Sequence, residues 1–341
     1  MSAVAVGSLP PDDWDDYVRS HSGARIYHES HWARLAQRLF GYHAYFLTSR
    51  DGAGRLRGVL PLVRQKGGLG SFLVSLPYFN YCGVLADDEA TRTSLIEAAF
   101  RLGREQRVKY VQLREEQPAG VAGVESKTDK VAMRLALPDS TEAFGKALGS
   151  KLRSQVRRAE RENVQTRHGG RELLGDFYTV FCSVMRDLGT PVYPKKFFEG
   201  VIEAAGDRAT IVVVDLDGVP SAAGFLLGYR DKVEIPWAGT VAAAKPKSVN
   251  MKLYWDVLSL AIERGFKEFD FGRSSADGGT YKFKAQWGAK PVQLYWHEHN
   301  PRGATGTRSG RTLELATRVW SRMPLRATNW LGPLISPGLP W

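Results

Sequence analysis

A basic segment near the middle of the chain combines side chains that bind anions. Residues Ser150–Val164 have apolar positions every three to four residues, which predicts an amphipathic helix. Lys151, Arg153 and Arg157 lie on its polar part, and the two arginines are four positions apart. Two guanidinium groups at that spacing can hold one phosphate or carboxylate together. A solvated basic face, partly neutralised by neighbouring glutamates, is the alternative interpretation.

A second segment, residues 269–288, contains a strand end, a glycine-containing loop and a run of aromatic and basic residues. Loops at strand ends carry functional residues more often than regular elements do. If the run is a strand, Lys282 and Lys284 share one face, whereas in a helix they do not. A packed aromatic turn with exposed lysines fits the same residues, so the segment alone predicts either a site or a structural turn.

A third segment, Lys247–Gly265, is predicted to be a helix capped by Ser248 or Asn250. The free N–H groups and partial positive charge at such a terminus attract anions. Patterns for other chemistries are absent: the sequence has no Gly-x-Ser-x-Gly elbow and no phosphate-binding P-loop. His297-Glu298-His299 has no third metal ligand nearby, and no metal site is predicted.

The composition is that of a globular protein with a net positive charge. The chain has 341 residues, of which 43% are hydrophobic and 24% charged, and this length favours about two domains. No apolar run is long enough to span a membrane, and Met1–Asp16 lacks the pattern of a secretory signal. Cys82 and Cys182 are not expected to pair, and we expect a cytoplasmic protein. The charge of +11 favours RNA, nucleotide-linked sugars or an anionic membrane surface as partners.

Two halves of the chain repeat the same order of predicted elements. Arg57-Gly58-Val59 introduces the apolar run Val59–Val63, and Asp217-Gly218-Val219 introduces the run Ala222–Leu227; the two valines are 160 positions apart. Residues 94–113 and 253–271 each predict a helix followed by a strand. The recurring order predicts an α/β (α+β) fold made by tandem duplication, each half a mixed twisted sheet flanked by helices. The predicted domains are 1–137, 138–300 with the active site, and a basic C-terminal tail at 301–341.

The tail has a basic amphipathic pattern of its own. Residues 308–326 contain five arginines and one acid, Glu314, with a tryptophan among apolar residues at helical spacing. Such a helix can lie on an anionic membrane, which would make the protein peripheral to the inner face of the membrane. Closure of a domain core by the same apolar residues is the alternative.

Several motifs together resemble the Fem family of aminoacyl transferases, whose domains are of the acetyltransferase (GNAT) type. Lys151–Ala159 resembles the basic helix that opens the second domain of that family, and Ser248–Trp255 resembles a helix of that domain. Phe269–Gly272 followed by Phe283–Gly288 resembles the family's Tyr-Asp-Phe-Gly…Phe-Lys-x-x-Phe-Gly segment. Pro77–Gly83 is similar to a segment of the first domain. The likeness is closest to the FemAB-related proteins associated with exosortase and PEP-CTERM exopolysaccharide systems.

The resemblance implies roles for individual residues. Lys284 would stabilise developing negative charge or a substrate phosphate, and Tyr281 and Asp270 would handle protons. Asp270 also lies between Phe269 and Phe271 on a predicted core strand, so a structural role is the alternative. The residues implied in substrate binding are Lys151, Arg153, Arg157, Asn250, Lys252, Tyr254, Arg273, Asn80 and Tyr81.

The implied reaction is direct acyl or aminoacyl transfer to an amine or hydroxyl of a sugar- or peptide-containing precursor of the cell envelope or an exopolysaccharide. The donor would be acyl-CoA or aminoacyl-tRNA, with no tightly bound cofactor. The chain departs from the family in having Trp287 for the usual Phe, no glycine-rich loop before Met251, and no helical hairpin for tRNA. Alternatives are an acyl-CoA-dependent transferase of small molecules, or a non-catalytic component that binds RNA or a membrane surface.

Overall fold

Two units make up the chain in the computed structural model, which describes residues 4–68, 70–121, 124–301 and 310–339. Unit 1 comprises Met1–Val131, Gln293–Gly306 and Pro337–Trp341, and unit 2 comprises Ala132–Val292 and Thr307–Ser336.

The described residues form fifteen strands and eleven α-helices. The strands are β1 (Val4–Gly7), β2 (His43–Arg50), β3 (Leu56–Gly67), β4 (Gly70–Val74), β5 (Leu85–Ala86), β6 (Tyr110–Glu115), β7 (Glu125–Lys127), β8 (Lys130–Ala136), β9 (Val164–Gly169), β10 (Ala209–Leu216), β11 (Val219–Tyr229), β12 (Lys232–Thr240), β13 (Glu268–Ser275), β14 (Lys290–Gln293) and β15 (Tyr295–His299). The helices are α1 (Trp14–Ser20), α2 (Ser30–Phe40), α3 (Glu89–Glu105), α4 (Thr141–Ala147), α5 (Ser150–Glu160), α6 (Leu174–Asp187), α7 (Lys195–Ala205), α8 (Val249–Glu263), α9 (Gly279–Ala285), α10 (Gly310–Arg322) and α11 (Leu325–Ile335).

Unit 1 is built on a mixed sheet with the strand order β1-β2-β3-β4-β6-β15-β7, and β5 pairs with β3. Only the neighbours β4 and β6 run parallel among the pairs whose register is described. Helix α3 connects toward β6 and packs its apolar face on β2 and β3, so its leucines join the sheet core. It begins at Glu89 because the Asp88 side chain accepts a hydrogen bond from the Thr91 N–H at 2.8 Å.

Unit 2 repeats this arrangement. Its sheet has the order β14-β8-β13-β12-β11-β10-β9, in which β12 and β13 are parallel and β9 to β12 are antiparallel neighbours. Helix α8 packs on β10 and β11, and α6 packs on β11 and β12. The series β2-β3-β4-α3-β6 and β10-β11-β12-α8-β13 therefore match in order and in strand direction. The predicted mixed α/β fold with an internal duplication is what the structure contains.

The two units are each made of separate stretches of the chain, whereas the predicted domains were three continuous ranges. Residues 293–306 belong to unit 1 because β15 pairs with β6, where Tyr295 lies opposite Glu115. Helices α10 and α11 belong to unit 2 and pack against α6. Of the predicted basic tail, Arg308 lies outside the described residues.

The structure decides one open alternative and corrects one helix boundary. The run Tyr281–Lys284, which the sequence left open between strand and helix, belongs to helix α9; this helix begins after Gly278, and the Lys282 N–H bonds the Gly278 carbonyl at 3.1 Å in its first turn. The basic helix ends at Glu160, not Val164, because Val164 starts β9 and pairs with Leu216.

Within the described ranges, none of the helices has the length and hydropathy that a membrane-spanning segment needs. Cys82 and Cys182 are both buried and carry free thiols.

Candidate active site

In unit 2, the parallel strands β12 and β13 pair at one end and separate at the other, which forms a fork. Strands β12 and β13 pair over three positions, the last joining Glu234 to Asp270, and the ladder then ends. Strand β12 continues along β11 to Thr240, while β13 continues to Ser275. The two strands thus separate toward their carboxyl ends, where loops commonly carry functional groups.

The corresponding fork of unit 1 is filled by the chain itself. Strands β4 and β6 also pair over three positions, but the residues after Val74 turn back into the opening. The Cys82 N–H bonds the Arg114 carbonyl at 3.2 Å, and the Arg114 N–H bonds the Ser75 hydroxyl at 3.1 Å. The Arg114 guanidinium donates to the carbonyls of Leu76 and Phe79. In the described residues of unit 2, the chain after β12 instead stays beside β11, where the Val241 N–H bonds the Ser221 carbonyl at 2.9 Å, and then enters α8. We call this fork of unit 2 the open fork.

The two predicted binding residues of unit 1 lie in this filling segment. Tyr81 is only 2% exposed, and the Arg25 guanidinium lies 5.1 Å from its ring centre. Arg25 in turn pairs with Glu116 at 2.7 Å. Asn80 is half-buried beside it. Tyr81 is therefore packed as part of the unit's own structure, and its binding role stays a prediction.

Lys284 lies beside the base of the open fork. Its side chain is buried, and Nζ donates to the carbonyls of Gly272 at 3.1 Å and Arg273 at 3.0 Å, where β13 leaves its partner. Burial lowers the pKa of Lys284 to about 8, and the negative charges of Asp270 and Glu234 oppose that shift. Two of the three ammonium protons are thus assigned to backbone carbonyls.

Asp270 is held as a structural group. It is 3% exposed, its Oδ2 accepts from Arg134 Nε at 3.1 Å, and its Oδ1 accepts from the Gly272 N–H at 2.7 Å. Gly272 has φ +72°, a conformation that favours glycine, so the carboxylate fixes a turn that a side chain would strain. Of the other residues predicted here, Tyr281 is half-buried on α9 and Arg273 is exposed.

An aromatic cluster joins α8, β13 and the segment that contains Lys284. Tyr254 of α8 stacks on Phe271 with ring centres 5.6 Å apart and meets Phe283 edge-on at 4.8 Å. Trp287, which is 1% exposed, lies 6.3 Å from the Tyr254 ring. Burial raises the pKa of Tyr254 to about 12, so its hydroxyl is neutral at physiological pH and can only donate or accept a hydrogen bond.

The N-terminus of α8 has no side-chain cap, contrary to prediction. Ser248 is the capping residue by position, but its φ of +62° places the backbone in the left-handed region and its hydroxyl does not bond the helix. Asn250 is half-buried in the first turn. Lys252 forms an ion pair with Asp256 at 2.6 Å, and Asp256 also accepts a hydrogen bond from the Thr166 hydroxyl at 2.6 Å.

The basic helix α5 borders a cavity of about 550 Å³ lined by residues of α4, α5 and α8, among them Val156 and Trp255. Arg153 lines it but directs its guanidinium at the carbonyls of Lys146 and Leu148, at the C-terminal end of α4. Arg157 is exposed at the cavity, whereas the exposed Lys151 does not line it. The two arginines therefore have different surroundings despite their helical spacing.

Replacing these arginines separates their roles. Arg153→Ala should lower the free energy of unfolding by about 1–2 kcal/mol, because it removes hydrogen bonds to two carbonyls at a helix end. Arg157→Ala should leave stability within about 0.5 kcal/mol and raise the Michaelis constant for an anionic substrate several-fold. Denaturant unfolding and steady-state kinetics measure the two effects; equal effects of both variants on either quantity would contradict the assignment.

Metal chemistry has no support in the part of the chain that the structure describes, where no group of three or more His, Cys, Asp or Glu side chains could hold an ion. His297 is fully buried, and its ring nitrogens face the Ser126 hydroxyl at 2.8 Å and the Gln117 carbonyl at 2.9 Å. It is a packed core histidine.

The structure brings Lys284 close to Asp270 and Arg273 of β13, and Tyr281 lies on the same helix as Lys284. Tyr254 packs on the neighbouring rings of Phe271 and Phe283. Two charged neighbours of Asp270 could not be recognised from the sequence: Arg134 is half-buried and Glu234 is buried. Each lies in the interior of a largely apolar strand that begins with a lysine, and this pattern does not name a partner.

Comparison with known proteins agrees with this geometry. The family model described as "Acetyltransferase (GNAT) domain" matches residues 150–285, which contain the open fork, α8 and Lys284. A search of curated protein sequences finds no match.

Solved structures share the fold at low sequence identity. The structure of FemX has 14% identity and a TM-score of 0.62, covering 86% of this chain and 96% of that chain. L-PGS from Bacillus licheniformis has 14% identity and a TM-score of 0.54, with coverages of 94% and 98%. A tandem GNAT protein from the clavulanic acid biosynthesis pathway has 11% identity and a TM-score of 0.56, with coverages of 90% and 100%. The chain therefore has the tandem GNAT fold, and its residues 150–285 are similar to the GNAT acetyltransferase domain family.

Proposed function

We propose that the protein transfers an acyl or aminoacyl group directly from an activated donor to an amine or hydroxyl. The observation that carries the proposal is the contrast between the two forks: the chain after β4 turns back into the fork of unit 1, whereas the chain after β12 stays beside β11 and then enters α8. The acetyltransferase family model covers the open fork, which supports donor binding there. The donor is acyl-CoA or aminoacyl-tRNA, and the acceptor is a sugar- or peptide-containing precursor of the cell envelope or an exopolysaccharide.

In the proposed reaction, the acceptor nitrogen or oxygen attacks the donor carbonyl carbon, and the carbonyl electrons move to its oxygen. The remaining ammonium proton of Lys284 stabilises this oxyanion, and a fixed donor in a water-poor site does so more effectively than water. Collapse of the intermediate expels the thiolate or ribose oxygen, which takes up the proton that the acceptor loses. Tyr281 is the candidate that relays this proton, whereas the contacts of Asp270 favour its structural role.

The uncapped start of α8 provides a separate test of the donor site. Asn250→Asp adds a negative charge in the first turn, which should stabilise the helix by about 0.3–1 kcal/mol. The same charge should repel the phosphates of a donor bound there and weaken acyl-CoA or tRNA binding about tenfold. Calorimetric titration and thermal unfolding measure the two effects. Asn250→Ser serves as the neutral control; weaker binding in both variants, or in neither, contradicts the donor position.

Parallel assays with different donors identify which donor the protein uses. The protein is incubated with acetyl-CoA, longer acyl-CoAs or charged tRNA, together with amine-bearing nucleotide sugars and peptides, and product mass is measured. Mass gain with an acyl-CoA assigns thioester chemistry, and mass gain only with charged tRNA assigns aminoacyl transfer. Salt-sensitive RNA binding with no product in any assay would overturn the proposal in favour of a non-catalytic binding component.

A further inference from the structure

The C-terminal helices of unit 2 expose an unusual concentration of large apolar side chains. Among the described residues, nine large hydrophobic side chains are exposed, and five of them lie on α10 and α11. These are Leu315, Val319, Trp330, Leu334 and Ile335. Trp330 is 69% exposed and Leu334 67%. Apolar side chains exposed in such a cluster commonly mark a surface that meets a partner.

The exposed residues are arranged on helix faces together with arginines. Leu315 and Val319 are four positions apart on α10, and at 100° per residue the exposed Arg318 and Arg322 lie within about 60° of Leu315 on the same face. On α11, the exposed Arg326 is one turn before Trp330. The sequence of residues 310–339 contains four arginines, no lysine or aspartate, and Glu314 as its single acid.

The opposite faces of both helices hold them on unit 2. A Cβ atom at Gly189, at the end of α6, would lie 2.3 Å from Thr317 Cγ2. A Cβ atom at Gly332 would lie 2.8 Å from the Val192 backbone nitrogen, so α11 approaches that segment closely. Packing of the helices against unit 2 therefore accounts for their inward residues, but it leaves the five exposed apolar residues unexplained.

We propose that α10 and α11 dock the protein on an anionic phospholipid surface. Apolar residues flanked by arginines suit the boundary between acyl chains and phosphate headgroups, and tryptophan has a preference for that boundary. Charge decides between this occupant and a second copy of the chain, since two such faces would bring arginines against arginines with one acid on each to offset them. The inference is independent of the transfer reaction.

Sedimentation with vesicles tests the proposal on the full chain without any transfer step. Binding to vesicles of phosphatidylcholine with 30% phosphatidylglycerol (about a third of the lipid) should exceed binding to pure phosphatidylcholine at least tenfold at low salt. Trp330→Ala combined with Leu334→Ala should weaken binding to the mixed vesicles about tenfold or more. Arg318→Ala combined with Arg322→Ala should remove most of the preference for the anionic lipid.

Leu9→Ala is the matched control, because Leu9 is 69% exposed in unit 1 and should bind vesicles like the original chain. Thermal unfolding checks that each variant is folded. Absence of vesicle binding, or equal binding by the Trp330/Leu334 variant, overturns the proposal. A concentration-dependent dimer that the same variant abolishes would overturn it in favour of self-association.

Discussion

Replacing Lys284 by methionine should lower kcat by at least about 100-fold, the size of effect typical for loss of one group that stabilises an oxyanion. Methionine keeps an unbranched chain in the buried space and removes the ammonium group. The variant leaves the carbonyls of Gly272 and Arg273 without this donor, but it also removes the burial of a charge, and these effects on stability oppose each other. Steady-state kinetics on folded protein, with donor affinity measured separately, checks the prediction.

Lys282→Met is the matched control, because Lys282 is on the same short helix but is exposed. It should keep kcat within about twofold of the original value. Lys284 has no part in the chemistry if its variant folds, binds donor and turns over normally.

The lowered pKa of Lys284 predicts that both the stability of the protein and its kcat depend on pH. Its folded pKa of about 8 lies below the value of 10.5 for an unburied lysine, so the folded state loses its proton first as pH rises. Between about pH 8 and 10.5 the unfolded state binds more protons, and the lysine's contribution to stability increases with pH. Because the proposed chemistry needs the protonated form, kcat should decline above about pH 8 while stability does not. A rise in kcat over that range would indicate that the lysine acts as a base.

The duplication could be predicted from the sequence because each half has the same order of local hydrophobic patterns. Val59 and Val219 each introduce an apolar run of strand length, and the helical runs that follow are long and periodic. The membership of β15 in unit 1 could not be predicted this way. Its pairing joins Tyr295 to Glu115, and no local pattern encodes which distant edge a strand joins.

The candidate site was predictable in its residue types more than in its geometry. The alternation of Tyr281 to Lys284 fits a strand, yet α9 forms because tertiary contacts outweigh local preference, with Lys284 Nζ bonded back to β13. Arg153 and Arg157 are equivalent by helical spacing, and only the carbonyls at the end of α4 distinguish them. The partner of Asp270, Arg134, is 136 positions away and invisible to any motif.

Because Asp270 pairs with Arg134, the variant Asp270→Asn tests whether Asp270 has a structural or a catalytic role. Asparagine keeps an oxygen for the Gly272 N–H but removes the charge facing half-buried Arg134, which retains the more distant Glu268 at 4.0 Å, so the free energy of unfolding should fall by about 1–3 kcal/mol. In the original protein the negative charge of Asp270 raises the pKa of Lys284. Without that charge, Lys284 of the variant should lose its proton at lower pH. The decline of kcat should therefore begin below pH 8, while kcat per folded molecule near pH 6 stays within a few-fold of the original.

A direct proton-transfer role for Asp270 would give a different profile. Loss of a general acid or base lowers kcat about 100-fold or more, and asparagine cannot replace it at any pH. Asp277→Asn, an exposed change in the adjoining loop, should alter neither stability nor the pH profile and serves as the matched control. A shifted profile with retained kcat assigns Asp270 to positioning and charge balance around Lys284, whereas a uniform loss of kcat assigns it to the chemistry. The contacts of its two oxygens with Arg134 and Gly272 favour the first result, because each oxygen already accepts a hydrogen bond that fixes the local structure.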